Sequence, residues 1–361
     1  MGAVMPTGRF HFDGPTFAHE ALALGATLAA SVSSERPVVL YGAPLRLASV
    51  VLGAYQHVRQ ALQLDAFEAL ALPIVRRTTG GSALWGGQGV IYVALGLLDA
   101  SALMKCPPGR ILNRNVRGAL TGLRGLGVPT NYFGRDFLSF GAEPGAYVGW
   151  DQTDDGKVLV EFFVALDASF ALPSALNGYP EPAEPAFRGK TPTTLHASDK
   201  TRCSADQVLA ALAGGYTKAF DVQFTADPPS NDELALSDAF ASGLRVKPDS
   251  DARWCWSSAH DEAIGFVTAG VRLDAAGRFE SVQVGGDFFQ HRGCGERLSQ
   301  RLRGTLPSAD DVGAALDAVY ASPPGLIEGV RSLRSLEAAI LDAAGKAREA
   351  EPLPATRGDD L

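Results

Sequence analysis

Apolar positions recur at helical spacing through residues 16–33, "TFAHEALALGATLAASVS", which predicts a helix with one buried stripe. The following "RPVVLYG" from Arg36 reads as a buried strand, and "LASVVLGAY" from Leu47 as a second apolar run, after which a polar helical segment begins at Gln56. "LPIVRR" at Leu72 and "VIYVAL" at Val90 are short β-branched runs on either side of a glycine-rich connection. This is the pattern expected of neighbouring strands joined by a functional loop. Residues 112–126, "LNRNVRGALTGLRGL", predict an amphipathic helix that stops at Gly127, before the strand-like "VPTNYFG".

Three strand candidates then follow one another: "DFLSFG", "GAYVGW" and "VLVEFFVALD", with turns at Ala142 to Pro144 and at "DQTDDGK". Consecutive strands with tight turns predict a largely antiparallel sheet. The proline-rich "YPEPAEPAFRGKTPTTLHASDK" from Tyr179 reads as an extended connection, "SADQVLAALAGGYTKAF" as a helix, and "TADPPSNDE" from Thr225 as a second loose stretch. Beyond Trp254 two alternating strands surround the turn Asp274 to Gly277, and helices are expected near Ser308 to Tyr320 and Leu333 to Arg348. The expected organisation is therefore α+β, with a domain over 1–245, a small α+β unit over 250–349 and a frayed tail over 350–361.

Composition narrows the partners. The 361 residues carry 46% hydrophobic and 20% charged side chains, enough for two folded domains. A net charge of -8 and a pI near 5.3 offer no basic face for nucleic acid. Cys106, Cys203, Cys255 and Cys294 are scattered without a C-x-x-C pair and read as thiols of a reducing compartment. Without a cationic leader or an apolar run of about eighteen residues, the expectation is a cytoplasmic chain with no membrane span. Gly2 does not mark a myristoylation site, since the sixth position is Pro6.

Candidate chemistry concentrates in "IVRRTTGGSALWGGQGVIYVA", Ile74 to Ala94. Its glycines would let backbone N–H groups close on an anion or a planar ligand. Arg76 and Arg77 beside them suit a phosphate or carboxylate, although in a strand they point to opposite faces, so at most one should reach a ligand. The loop is neither a Walker loop nor a G-x-G-x-x-G fingerprint. His11, His19, His57, His196, His260 and His291 show no metal-ligand spacing, and no catalytic triad with a nucleophile elbow can be assembled. Cys106 reads as a packed or edge thiol, and Trp254 and Trp256 around Cys255 as packing.

"RRTTGGSALWGGQG" resembles the arginine-arginine-x-serine/threonine-triple-glycine signature of the lipoate-protein ligase A family, within the biotin/lipoate ligase and lipoyl transferase superfamily. Thr79, Gly80 and Gly81 match, Ser82 stands at the third glycine, and Gly89 at the later one. The resemblance continues through "GRDFLSFG", "VEFFVALDASFAL" and "GRFESVQVGGDFF", similar to the family's Asn-Asp strand, its strand ending in aspartate and its accessory-domain Gly-Asp-Phe-Phe segment. It implies a ligase-like catalytic domain with a small accessory domain. ATP, with Mg, and lipoate would form an acyl-adenylate held at Arg76, Arg77, Thr79, Gly80, Gly81, Ser82, Gly89 and Asp136, and the acyl group would pass to a lipoyl-domain protein.

The chain departs from the pattern where that chemistry needs a lysine. Counting back from Gly156 and Asp167 places Glu143 there, which reverses the local sign beside a phosphate. Gly86 and Gly87 replace His-Asp, Val90 an asparagine, Arg135 the asparagine before Asp136, and "VLVE" from Val158 the His-His-Gly-Thr segment. Glu143, Asp151 and Glu161 could cluster across three adjacent strands and act as acid and base or bind a metal, or Asp151, Asp154 and Asp155 could simply decorate a solvated turn. Glu161 interrupts an apolar strand and wants a partner, with Arg76, Arg77 or Arg135 as candidates. Lys157 reads as a solvated turn lysine. Three functions stay open: a divergent ligase that binds an acyl-adenylate or small carboxylate, an inactive ligase-fold protein that recognises a metabolite or a lipoyl-domain partner, and an enzyme of other acyl chemistry that uses Glu143 and Glu161.

Overall fold

The computed structural model describes residues 6–107, 109–179, 187, 190–198, 202–246, 254–321 and 325–349. The tail over 350–361 and half of the proline-rich connection lie outside these residues. Eight strands form the main sheet, in the order β11 (Gln223–Ala226), β1 (Thr7–Phe12), β2 (Val38–Pro44), β6 (Val90–Leu97), β10 (Val158–Ala165), β9 (Glu143–Gln152), β8 (Phe137–Phe140) and β7 (Thr130–Tyr132). From β2 to β7 every pairing is antiparallel, as the tight turns predict, while β1 runs parallel to β2 and β11. β6 and β10 are buried along their whole length, because helices cover both faces.

On one face lies α1 (Ala18–Ala30), whose Gly25 lets the helix approach Tyr92 and Ala94 of β6; a Cβ there would meet the Tyr92 hydroxyl at 2.5 Å. On the other, α7 (Ala205–Phe220) sets Leu209 against Gly42 of β2, and α5 (Arg117–Gly125) packs on α7 through Gly118, Gly122 and Gly215. The short α4 (Ile111–Asn115) precedes α5. A helix not expected from sequence, α8 (Asn231–Leu244), lies against α1. Its start is set by a capping box in which Ser230 and Glu233 satisfy each other's backbone N–H groups, a signal present in "SNDE" but masked by the preceding prolines.

The expected pairing of the strands around the glycine-rich loop is not what forms. β4 (Ile74–Arg76) joins β3 (Ser49–Leu52) and β5 (Leu84–Gly86) in a separate three-stranded sheet, so the loop connects two sheets rather than two neighbours. α2 (Val58–Ala61), α3 (Leu64–Leu70) and the short α6 (Leu195–Ser198) fill the connections. Beyond residue 254, β14 (Phe266–Leu273) and β15 (Phe279–Gly286) form the expected hairpin, flanked by β12 (Cys255–Trp256) and β13 (His260–Asp261). α9 (Cys294–Leu302), α10 (Ala309–Tyr320) and α11 (Leu333–Glu349) pack on it around their own apolar cluster. β16 (Phe289–Gln290) pairs with β17 (Ile327–Glu328) against the edge of β9.

Candidate functional site

The glycine-rich loop folds around Arg77, whose side chain is completely buried. Its guanidinium donates to the carbonyls of Val51 (3.2 Å), Gly80 (2.6 Å) and Ser82 (2.8 Å), to the Tyr147 hydroxyl (2.8 Å) and to Thr79 Oγ1 (3.2 Å), and it stacks 4.6 Å from the Tyr147 ring. Each of its three nitrogens thus has an acceptor within the chain, and three of the five acceptors converge on Nη2. Arg76 points the other way, as strand alternation requires, and its Nη1 holds the carbonyls of Gly53, Ala54 and Gln56. Burial, then the neighbouring Arg77, lower its pKa. Both arginines therefore serve carbonyl groups of their own chain.

Glu161 finds its partners in the same network. Fully buried on β10, it accepts hydrogen bonds from Thr79 Oγ1 and from the Tyr92 hydroxyl at 2.6 Å. Desolvation raises its pKa, opposed by those two bonds and by Arg77. Thr79 thus bridges Arg77 to Glu161, and charge is balanced inside the core.

Glu143 is elsewhere. It is the exposed first residue of β9, opposite Phe140, whereas Glu161 opposes Gly149. Six residues of strand separate positions 143 and 149, roughly 20 Å at about 3.4 Å per residue. An acid and base pair of Glu143 and Glu161 is thereby corrected: strand register holds them apart. The reading of Asp151 as a turn residue is corrected as well. It lies on the inward face of β9, 2% exposed, and pairs with Arg292 from the C-terminal unit, while Asp154 and Asp155 remain at the exposed turn. Lys157 sits in that turn, pairing with Asp155 and donating to the Ala30 carbonyl.

The glycines are engaged by the fold. Gly81, at a φ of +85°, donates its N–H to the Phe288 carbonyl at 2.9 Å, and a Cβ on Gly80 would meet that same oxygen at 2.0 Å. The Phe289 ring closes on Gly81 and on Gly149. The Gly-Asp-Phe-Phe segment of the C-terminal unit is thus seated on the loop. Gly89, at a φ of +87°, offers its carbonyl to the amides of Leu166, Asp167 and Ala168 at the end of β10, so it holds two strands together.

Two cavities open beside the loop: one of about 550 Å³ lined by Arg76, Gln56 and Gln290 among others, and one of about 230 Å³ lined by Ser82, Arg135, Asp136, Tyr179, Glu262 and Asp287 among others. Asp136 is buried next to Arg135, and burial lifts its carboxyl to about 6. Asp287 accepts from Gln56 Nε2 at 2.5 Å and from the Phe266 amide at 3.0 Å. Burial above all, with the Asp136 charge adding, lifts it to about 7. Sequence reasoning overlooked Asp287, Tyr147 and Tyr92, although Asp287 belongs to the Gly-Asp-Phe-Phe segment. Among the described residues no group of three or more His, Cys, Asp or Glu side chains is arranged to hold a metal ion, and no helix is long and apolar enough to cross a membrane. For an ATP-derived phosphate the fit is poor: the loop's arginines and the Gly81 amide already have internal partners, and Glu161 adds a negative charge behind them.

No protein-family model matches the chain. No curated protein matches it either. Solved structures do. The bi-partite lipoate protein ligase of a lipoylation system from Thermoplasma acidophilum superposes with a TM-score of 0.55 at 17% identity, covering 66% of this chain and 92% of that one. A lipoate-protein ligase A bound with ATP gives 0.53 at 16%, covering 65% and 94%. LipL1 of P. falciparum, in complex with lipoate, gives 0.63 at 11% over 92% of this chain and 99% of that one, reaching through the C-terminal unit. The chain has the α+β fold of lipoate-protein ligases, including the C-terminal unit.

Proposed function

We propose that this chain is a ligase-fold binding protein that does not form acyl-adenylates. One observation carries the reading: the groups that would hold an adenylate are spent inside the molecule. Every nitrogen of Arg77 is engaged by carbonyls or hydroxyls of the chain itself, the Gly81 amide is bonded to Phe288, and the carboxyl group of Glu161 lies behind the loop. A cation free to meet developing negative charge contributes heavily to the rate of such a reaction, and Glu143, which the sequence resemblance sets at the lysine position, is an exposed glutamate at the start of β9. Function then rests on recognition. The ligand site is the cavity lined by Ser82, Arg135, Asp136 and Asp287, and the ligand is a small polar metabolite or the projecting side chain of a lipoyl-domain-like partner.

The second reading is ATP-dependent lipoate ligation, with Mg as counter-ion, and it is favoured by the match to lipoate-bound LipL1 over 92% of the chain. ATP–pyrophosphate exchange with lipoate, octanoate and biotin separates the two. The binding-protein reading expects no exchange above background, together with calorimetric binding that is lost in Asp136→Ala. Exchange that disappears in Arg77→Ala would overturn it in favour of the ligase.

A further inference from the structure

A further opening, mostly apolar, is separate from the Asp136 cavity beside the glycine loop and meets that loop at Thr78. Between the C-terminal end of α1, the start of β10 and the outer face of α8 lies a pocket of about 470 Å³ with Ala30, Leu159, Leu236 and Phe240 on its wall. That volume suits a small ligand. Leu236 is 63% exposed and Phe240 39% exposed. Two large apolar side chains on the solvent side of a helix whose inner face is already buried through Ser237, Ala241 and Leu244 mark a surface that gains from being covered.

The polar groups on the wall decide the chemistry of the occupant. The cations are taken: Arg292 pairs with Asp151, and Lys157 pairs with Asp155 and donates to the Ala30 carbonyl. Glu233 is held by Arg9. Two oxygens are left without a hydrogen-bond partner, Oδ1 of Asp151, whose side chain is 2% exposed, and Oγ1 of Thr78. A buried carboxylate oxygen lacking a donor is costly, and a donor carrying positive charge satisfies it best. The unmet need of this pocket is therefore a hydrogen-bond donor at the polar end of an apolar body.

We propose that the pocket between α1, β10 and α8 binds a small aliphatic amine, its chain against Ala30, Leu236 and Phe240 and its ammonium donating to Asp151 Oδ1. This site shares no lining residue with the cavity proposed as the ligand site beside the glycine loop, although Thr78 of the loop lies on its wall.

The test is isothermal titration of the full chain with octylamine, octanol and octanoate, which share one chain and differ in the head group. Octylamine should bind one to one, octanol more weakly, and octanoate at least ten-fold more weakly than octylamine. Leu236→Ser, at an exposed position that leaves folding intact, should weaken octylamine at least five-fold, and Ala30→Trp should fill the pocket and abolish binding. Asp151→Asn should erase the preference for octylamine over octanoate. Octanoate binding as tightly as octylamine would overturn the head-group assignment. Absence of binding by all three probes, or binding indifferent to both Leu236→Ser and Ala30→Trp, would overturn the site.

Discussion

The glycine loop and the α1–α8 pocket differ in how completely their polar groups are satisfied. In the loop, Arg77, Thr79, Tyr92, Tyr147 and Glu161 form a connected set of donors and acceptors in a buried interior, where each bond supports the others. In the pocket the wall is apolar and open, and two oxygens lack partners. A motif that looks built for a ligand has largely become part of the core, while the pocket wall, which includes Thr78 of that motif, has kept unfilled valences. Recognisable sequence and available chemistry have come apart in this molecule.

The comparison breaks first at Arg77. If the loop is core, Arg77→Ala leaves Glu161 as an uncompensated buried charge and should cost about 3–5 kcal/mol, read by urea denaturation. A fully stable variant would return the arginine to ligand binding. Tyr92→Phe removes one donor from buried Glu161 and should cost about 1–3 kcal/mol in the same assay. Gly80→Ala drives a Cβ onto the Phe288 carbonyl and should cost about 1–3 kcal/mol, as overpacking does; it should also loosen the C-terminal segment, seen as faster amide exchange at Gly81.

A pH series sharpens the picture at the cavity. Asp136 and Asp287 hold protons to about 6 and about 7, above the roughly 3.9 of an unfolded aspartate. Between about pH 4 and 7 the folded chain binds more protons than the unfolded one, so stability falls as pH rises through that window. Asp287→Asn should flatten the fall in Tm between about pH 5 and about pH 8; an unchanged slope would remove Asp287 as its source. The smallest effect is expected for Glu143→Lys, an exposed change that should stay within about 0.5 kcal/mol and gain no exchange activity. Exchange appearing in that variant would show that the loop still receives an adenylate.

Much of the architecture was legible in the sequence. Alternation and turn residues marked the run from β8 to β10 and the β14–β15 hairpin, since a sheet with short connections writes its period into contiguous sequence. α8 escaped because "DPPSNDE" shows prolines before its capping box, and β5 because a strand of three residues has no period to read. The reach of the glycine loop between two sheets was not legible either: pairing partners are chosen by packing between segments distant in sequence.

By itself the sequence determined the ligase-like fold, the chain of elements that carries it, and the demand that Glu161 be neutralised, because a charge in an apolar strand has few alternatives. Only the tertiary structure decided how that demand was met. Strand register placed Gly149 rather than Glu143 opposite Glu161, and the C-terminal unit brought Phe288 and Phe289 onto Gly80 and Gly81. Arg292 of that same unit turned Asp151 from a turn residue into a buried ion pair. Local propensity can say which groups are polar, but whether a polar group faces a ligand, a neighbour or nothing depends on what the fold carries to it from far along the chain.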